Sequence, residues 1–267
     1  MGFLYSFARR LGRPIKRWLF PPFVPGPETI IFLHIPKAAG TTLKVITQQL
    51  YVPRVTYEIV DGLTKDSQLA AFRALSEAER RRIKFLQGHF PFGLHEHLPQ
   101  PAAYITLLRD PVERILSSYY YILREPKHFR HQEVAGGGMS ILDYVESEKL
   151  YLNNGQTQII AGPDAGGDDP RRSPAKDLLS RALENLDKHF AVVGLSERFV
   201  ESLALLRRRF GWPNVRYHNE NVTQNRPARA AVPQKTIERI RELNQLDLRL
   251  YDWAARRFEE ERRSLAA

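Results

Sequence analysis

The sequence contains 267 residues, of which 43% are hydrophobic and 26% are charged. This balance is typical of a globular protein and excludes collagen-like, low-complexity and disordered chains. The chain has no cysteine, which excludes disulfides, thiolate metal sites and cysteine nucleophiles. Forty lysines and arginines against thirty acidic residues give a formal net charge of +10. The expected partners are therefore anions, namely nucleic acid, an anionic membrane face, or polyanionic substrates and cofactors.

The amino-terminal residues 1–20 are basic and amphipathic. Apolar side chains recur there at helical spacing, and the cations Arg9, Arg10, Arg13, Lys16 and Arg17 stand between them without an acid. No apolar run approaches the roughly 18 to 20 residues that a membrane-spanning helix needs. The pattern predicts a segment 1–27, closed by the Pro-rich hinge Pro21–Pro27, that either lies on an anionic membrane or docks on the folded domain.

After this hinge, short apolar runs alternate with helical patterns. The predicted strands are Thr29–Leu33, Lys84–Leu86, Ala103–Leu108, Ala191–Leu195 and Val215–Tyr217. Such alternation is typical of a parallel sheet covered by helices. We therefore predict the α/β class, with a single domain over residues 28–267 and a parallel sheet of about five strands.

Several helix boundaries are also marked in the sequence. Helices are predicted to begin after Ser76, Asp110 and Ser140, because each offers a capping side chain. A long carboxyl-terminal helix is predicted from about Gln234 to Glu261. It carries a broad apolar face that we assign to the core: Ile237, Ile240, Leu243, Leu246, Leu250, Trp253 and Phe258. The composition of Ala161–Pro170 predicts a flexible surface loop.

The strand Thr29–Leu33 runs into a turn of small and hydroxylated residues and then into a helix. This arrangement aims backbone N–H groups and the positive end of a helix dipole at one point, where an anion binds. The residues that predict a phosphate site are Lys37, Ala38, Ala39, Gly40, Thr41 and Thr42. The loop differs from a Walker A motif, because Lys37 precedes its glycine instead of following it.

A second strand-to-helix corner follows Ala103–Leu108. Arg109 stands at the predicted carboxyl edge of the sheet, where open α/β folds bind ligands. Ser117 lies about two turns into the helix, roughly 10 Å from its start, so a long arginine and a short hydroxyl are able to meet one phosphate group. By itself this corner is equally compatible with a surface ion pair of Arg109 and an exposed serine.

Together the two corners resemble known motifs. Leu33–Thr42 resembles the 5′-phosphosulfate loop, and Leu108–Tyr119 the 3′-phosphate motif, of carbohydrate sulfotransferases. The likeness is greatest to the heparan sulfate 2-O- and 6-O-sulfotransferases and their bacterial relatives. Supporting likenesses lie in Asn153–Gly162, Val193–Leu203 and Leu243–Trp253.

The resemblance implies a P-loop-like fold and transfer of a sulfuryl group from 3′-phosphoadenosine 5′-phosphosulfate (PAPS) to a saccharide hydroxyl, without a metal. It places the 5′-phosphosulfate on the loop from Lys37 to Thr42, with Lys37 also catalytic, and the 3′-phosphate on Arg109 and Ser117. Arg226 and Arg229 correspond to a family loop that clamps the cofactor. Their alternative role is that of solvated loop arginines.

An acceptor hydroxyl needs a general base, and histidine titrates in the range that suits one. His89 follows the predicted strand Lys84–Leu86 and matches the Gly-His stretch that carries the family's base. His95 and His97 are the alternates. The expected acceptor-binding residues are His95, Asn154 and Gln158, although relatives commonly have arginine at the position of Gln158.

The expected acceptor is a polysaccharide, an oligosaccharide or a glycolipid, and the excess positive charge is compatible with an acidic one. The sequence shows neither the membrane span of Golgi-resident relatives nor a secretory signal. We therefore expect a bacterial-type cytoplasmic enzyme, with peripheral contact to the inner membrane through residues 1–20.

Two other functions remain open. A kinase using Mg-ATP would share the phosphate-binding corners, and magnesium dependence would separate it from a sulfotransferase. A non-catalytic polyanion-binding protein would keep the fold without turnover. Nucleic-acid binding is not expected, because the basic residues are scattered and no known nucleic-acid motif is present.

Overall fold

The computed structural model describes residues 23–60, 65–147, 152–163, 175–218, 227 and 229–266. Within these ranges the strands are β1 Thr29–Leu33, β2 Thr56–Ile59, β3 Phe85–Gly88, β4 Ala102–Leu108 and β5 Phe190–Leu195. The helices are α1 Gly40–Leu50, α2 Lys65–Ala74, α3 Glu77–Arg81, α4 Pro111–Arg124, α5 Ile141–Glu146, α6 Gly155–Ala161, α7 Ala175–His189, α8 Phe199–Phe210, α9 Gln234–Leu243 and α10 Gln245–Ala266.

The five strands form one parallel sheet in the order β2-β3-β1-β4-β5. The central strand β1 is buried along its whole length, as expected for a continuous apolar run covered on both faces. The predicted α/β domain with a parallel sheet of about five strands is confirmed. Because β3, β1 and β4 are neighbours, their carboxyl ends meet at one edge, where ligands bind in such folds.

One predicted strand is wrong. Residues Val215–Tyr217 lie outside the sheet, and the carbonyl of Arg216 accepts a hydrogen bond from the Gln49 side chain instead of from a strand. The fifth strand is instead β2, which pairs with β3 at the sheet edge. Three of its four residues are partly exposed, and one of them, Glu58, forms an ion pair with Lys44 of α1. A short, half-polar edge strand carries only a weak hydrophobic signal in sequence.

Two hydrophobic clusters build the interior. The larger one joins the sheet to the helices on its two faces, with α1, α7, α8 and α10 contributing most of its helical members. The second is formed by α4, α5 and α9 together with residues near Val134 and Leu152. Helix α4 leaves the carboxyl end of β4 and packs mainly against α5 and α9. The second cluster therefore extends from the edge of the sheet at which Arg109 lies.

The predicted long carboxyl-terminal helix is confirmed as α10, which has 22 residues. Its predicted span Gln234–Glu261 is wrong, because α9 and α10 divide it into two helices. The helical conformation is interrupted at Asn244, whose φ of −121° and ψ of 33° are not helical. The buried Asn244 side chain donates to the carbonyl of Ile240 and accepts from the backbone N–H of Asn154, so it replaces regular helical hydrogen bonds. The break divides the predicted apolar face: α9 packs in the second cluster and α10 in the first.

The predicted helix starts are confirmed. The Asp110 side chain accepts from the backbone N–H of Glu113 and caps α4, and Ser76 and Ser140 each form a capping box with the acid three residues later. None of the helices in the described ranges is long and apolar enough to cross a membrane. Segment 1–20 and residues 164–170 of the predicted loop Ala161–Pro170 lie outside the described ranges. The domain boundary predicted at residue 27 stays a prediction.

Candidate active site

The loops after β1, β3 and β4 are held together by hydrogen bonds at the carboxyl edge of the sheet. The guanidinium of Arg109, after β4, donates to the carbonyl of Lys37 at 2.9 Å. The ring of His89, after β3, contacts the carbonyl of His34 through Nδ1 at 2.9 Å. The structure thus brings Lys37, His89 and Arg109 to one edge, although they lie far apart in sequence.

The loop between β1 and α1 has an unusual backbone. Lys37 has a φ of 68° and Ala39 a φ of 58°, which are left-handed values that side chains disfavour. Such conformations cost roughly 1–3 kcal/mol each and are concentrated at functional sites. Helix α1 begins at Gly40 without a side-chain cap, so its positive end faces the loop that carries Lys37.

The ammonium of Lys37 lies over the ring of Tyr121 on α4, 3.6 Å from the ring centroid. Burial, followed by the nearby charges of Arg109 and Arg124, lowers the pKa of Lys37 to about 8. Three cations are therefore concentrated around one partly buried position. An anion bound there would stabilise the protonated lysine and offset this repulsion.

Arg109 is positioned by Gln156, which is not among the site residues predicted from the sequence. Its side-chain amide accepts from the backbone N–H of Arg109 at 3.0 Å and donates to the backbone carbonyl of Arg109 at 2.9 Å. The guanidinium lies 3.9 Å from carboxylate oxygens of both Glu113 and Glu197. Gln156 lies within Asn153–Gly162, so the family likeness of that segment is the only signal that pointed near it.

The hydrogen bond of His89 determines which of its ring nitrogens carries the proton. A carbonyl oxygen only accepts, so Nδ1 of His89 donates to His34, and Nε2 of the neutral ring keeps its lone pair. The two histidine rings lie 4.1 Å apart. Burial, followed by the charges of His89, Lys44 and Lys37, holds the pKa of His34 well below its usual value. His34 is therefore a neutral neighbour, and His89 is able to accept a proton.

Two glycines make this arrangement possible. A Cβ at Gly40 would collide with the imidazole of His34, so glycine allows that ring to lie against the start of α1. Gly88, just before His89, has a φ of 148° and lies against the carbonyl of Ile59 on β2, where a Cβ would also collide. Both positions therefore need glycine for geometric reasons.

Comparison with known proteins identifies the family. The model of the galactose-3-O-sulfotransferase family matches residues 20–264. The chain belongs to the galactose-3-O-sulfotransferase family. The predicted resemblance to carbohydrate sulfotransferases is thereby confirmed.

Three relatives of this galactose-3-O-sulfotransferase family member illustrate the range of likeness. Heparan-sulfate 6-O-sulfotransferase 1 of Gallus gallus is 27% identical over 86% of this chain. Galactose-3-O-sulfotransferase 3 of Bos taurus is 27% identical over 84%, and uronyl 2-sulfotransferase of Homo sapiens is 26% identical over 69%. The matches span 65%, 55% and 49% of those relatives' own lengths. A mouse sulfotransferase, SULT7A1 complexed with PAP, matches in structure with a TM-score of 0.47 and 13% identity over 91% of each chain.

The remaining residues predicted to bind the cofactor lie around the same edge or outside the described ranges. Ser117 is 6% exposed and lies one turn before Tyr121 on the same side of α4. Arg229 lies 3.5 Å from Asp110, next to Arg109 in sequence, whereas Arg226 lies outside the described ranges. In the first loop Ala38 and Thr42 are buried and Thr41 is partly exposed, so Thr41 is the more accessible of the two threonines.

The residues predicted to bind the acceptor have other contacts in the structure. Asn154 accepts from the backbone N–H groups of Leu246 and Asp247 and so caps α10. Gln158 is 7% exposed and donates to the carbonyl of Asn153. These contacts are structural, and the acceptor-binding roles of both residues stay predictions.

The alternative histidines lie away from Lys37 and Arg109. His95 contacts the hydroxyl of Tyr104 at 3.1 Å and packs against His189, the residue that precedes β5. That contact places it toward the amino end of the sheet. His97 packs against Phe72 of α2. Among these three histidines, only His89 is joined to the loop that carries Lys37.

Proposed function

We propose that this protein transfers a sulfuryl group from PAPS to a hydroxyl of a saccharide. The proposal rests chiefly on Lys37, which is partly buried in the loop before α1. Burial and the neighbouring arginines lower its pKa to about 8. Such a site favours a multiply charged anion. Membership in a sulfotransferase family makes PAPS the anion of choice.

The residues present fit both charged ends of this donor. Lys37, Thr41 and the positive end of α1 would hold the 5′-phosphosulfate. Arg109, Ser117 and Arg229 would hold the 3′-phosphate. The hydrogen bond from Arg109 to the carbonyl of Lys37 fixes the two groups of residues relative to each other, so the site is preorganised for a ligand that joins them.

The proposed reaction is a direct displacement. The acceptor oxygen forms a bond to sulfur while the bond between sulfur and the 5′-phosphate oxygen breaks, giving a sulfate ester and 3′-phosphoadenosine 5′-phosphate (PAP). The hydroxyl proton passes to Nε2 of His89 and later to water. Lys37 and the amides at the start of α1 stabilise the negative charge that develops on the departing phosphate oxygen.

The expected acceptor is a saccharide, free or as part of a glycolipid. The relatives are named for heparan sulfate, galactose and uronyl residues, which are all sugars or sugar polymers. The chain matches less than two thirds of their lengths, so the choice among these acceptors needs a separate test.

A ligand-binding and transfer experiment tests the proposal. We expect PAP to stabilise the protein and ATP with magnesium to do so far less. Saturation at about 100 times Kd adds roughly 2.7 kcal/mol to the free energy of unfolding. Lys37→Ala should abolish the response, whereas Lys235→Ala, an exposed lysine on α9, should retain it. Transfer of labelled sulfate to a panel of glycans and glycolipids then measures activity.

Three outcomes would contradict the proposal. Stabilisation by magnesium-ATP alone would favour the kinase. Binding of glycans without any transfer from PAPS would favour a non-catalytic polyanion-binding protein. Indifference to PAP would remove the proposed donor site altogether.

The lowered pKa of Lys37 predicts a pH dependence of PAP affinity. The anion prefers the protonated lysine, and Lys37 in the free protein loses its proton above a pKa of about 8. Affinity should therefore be retained near pH 7 and fall by up to about tenfold per pH unit above pH 8. Titration calorimetry between pH 7 and 9.5 measures this slope. Lys37→Arg keeps its charge in this range and should flatten it; an equally steep slope in that variant would assign it to another group.

A further inference from the structure

Five large hydrophobic side chains are exposed among the described residues, and Phe129 is the only aromatic one. Its side chain is 64% exposed. Single exposed apolar side chains occur on many protein surfaces. Phe129 differs in its location, because it lies in the turn after α4, the helix that carries Ser117 and Tyr121.

The ring of Phe129 is held in place by its neighbours. It stacks on His128 with the centroids 4.6 Å apart and the planes 24° from parallel. His128 in turn packs edge-on against Tyr121, with the centroids 5.6 Å apart. The turn itself is closed by hydrogen bonds from the backbone N–H of His128 to the carbonyl of Glu125, and from the backbone N–H of Arg130 to Nδ1 of His128. The exposed face is therefore preorganised.

The packed rings of Phe129, His128 and Tyr121 connect the exposed face to the proposed transfer site. The ammonium of Lys37 forms a cation–π contact with the face of the Tyr121 ring. Arg124, the last residue of α4, is exposed, and its charge contributes to lowering the pKa of Lys37. Lys127 in the same turn is also exposed. The turn thus combines an exposed apolar face with the two exposed cations Arg124 and Lys127, and with the half-buried acid Glu125, which accepts from the backbone N–H of Lys127.

We infer that Phe129 and Arg124 form an acceptor subsite for an acidic saccharide. The apolar C–H face of one sugar ring would cover Phe129, and a carboxylate or sulfate on the acceptor would pair with Arg124. Aromatic side chains offer large, rigid contact area with little loss of conformational entropy. A guanidinium pairs with carboxylate or sulfate through two parallel hydrogen bonds. This inference rests on the proposed function, because it assumes a saccharide acceptor.

Kinetics of single variants test the ring contact. Phe129→Ala should raise the KM for an acidic glycan about tenfold, with kcat and the Kd of PAP within about twofold of wild type. Phe129→Trp should restore a low KM, because it keeps an aromatic face. Val200→Ala, which shortens another exposed apolar side chain on α8, serves as the control and should change nothing. Matching thermal midpoints would show that all variants are folded.

The charge contact is tested separately. Arg124→Gln, measured at saturating PAPS, should raise the KM for acidic glycans several-fold more than the KM for neutral glycans of the same backbone. An unchanged KM in Phe129→Ala, or an equal effect of Arg124→Gln on acidic and neutral glycans, would overturn the subsite while the sulfotransferase activity stands. Absence of transfer to every saccharide by the wild-type protein, despite binding of PAP, would overturn the saccharide acceptor and this subsite together.

Discussion

Replacing His89 by alanine is expected to lower turnover by about 100-fold or more while leaving the affinity for PAP nearly unchanged. The reason is the position of its proton. Nδ1 donates to the carbonyl of His34, so Nε2 is the nitrogen that accepts the proton of the acceptor. The affinity for PAP should persist because its proposed binding groups are Lys37, Thr41, Arg109 and Ser117, and His89 is not one of them.

His89→Gln separates proton transfer from structure, because the glutamine amide also donates to the carbonyl of His34. That variant should bind PAP normally and remain as inactive as His89→Ala. His218→Ala, an exposed histidine outside the regular elements, should behave as wild type. Near-normal turnover of His89→Ala would assign the base to another residue, and His95→Ala would then be the next variant to measure.

Replacing Asp247 by alanine is expected to lower the free energy of unfolding by about 3–5 kcal/mol. The Asp247 carboxylate is fully buried and accepts hydrogen bonds from the backbone N–H groups of Gln156 and Thr157 and from the Thr157 hydroxyl. It also lies 3.7 Å from the guanidinium of Arg114, which is 3% exposed. Without this carboxylate a buried arginine would lose its counterion, and the start of α6 would lose its cap.

Urea unfolding followed by circular dichroism measures this loss. Asp252→Ala, on the exposed side of the same helix, should change the free energy of unfolding by less than about 0.5 kcal/mol. Asp247→Asn keeps an acceptor for α6 but removes the charge opposite Arg114, so its loss should be intermediate. A small loss in Asp247→Ala would show that Arg114 finds another partner or reaches water.

Asp247 also explains why a distant segment matters to the candidate site. Asn154, before α6, caps α10, and Asp247, at the start of α10, caps α6. The two helix starts thus stabilise each other, and α6 carries Gln156, which holds the backbone of Arg109. Asp247→Ala should therefore reduce PAP affinity as well as stability.

Much of the candidate site could be predicted from sequence because its signals are local. Lys37 and Arg109 each follow a continuous apolar strand. Such a strand is typical of the interior of a parallel sheet, so its burial can be predicted without knowing its long-range contacts. Glycine at positions 40 and 88 marks close approaches that only a residue without a Cβ allows. The caps of α3, α4 and α5 involve residues three apart, so they too are visible in sequence.

Other features could not be predicted because long-range contacts decide them. Strand β2 is short and partly exposed, and it forms a strand because β3 offers it an edge. The break at Asn244 occurs because its side chain has a partner about ninety residues earlier, Asn154. Gln156 resembles any helical glutamine until the fold places it beside Arg109.

The sequence by itself determined the strand-to-helix corners, the candidate anion-binding residues and the excess of positive charge, since each depends on neighbouring residues or on composition. Only the tertiary structure decided which corners meet, which nitrogen of His89 donates to His34, and which side chains hold Arg109. The physical reason is that hydrogen-bond partners and burial depend on which residues are close in three dimensions, and distance along the sequence does not determine that. The fold set the pKa of Lys37 in the same way, through burial and arginines that are distant in sequence.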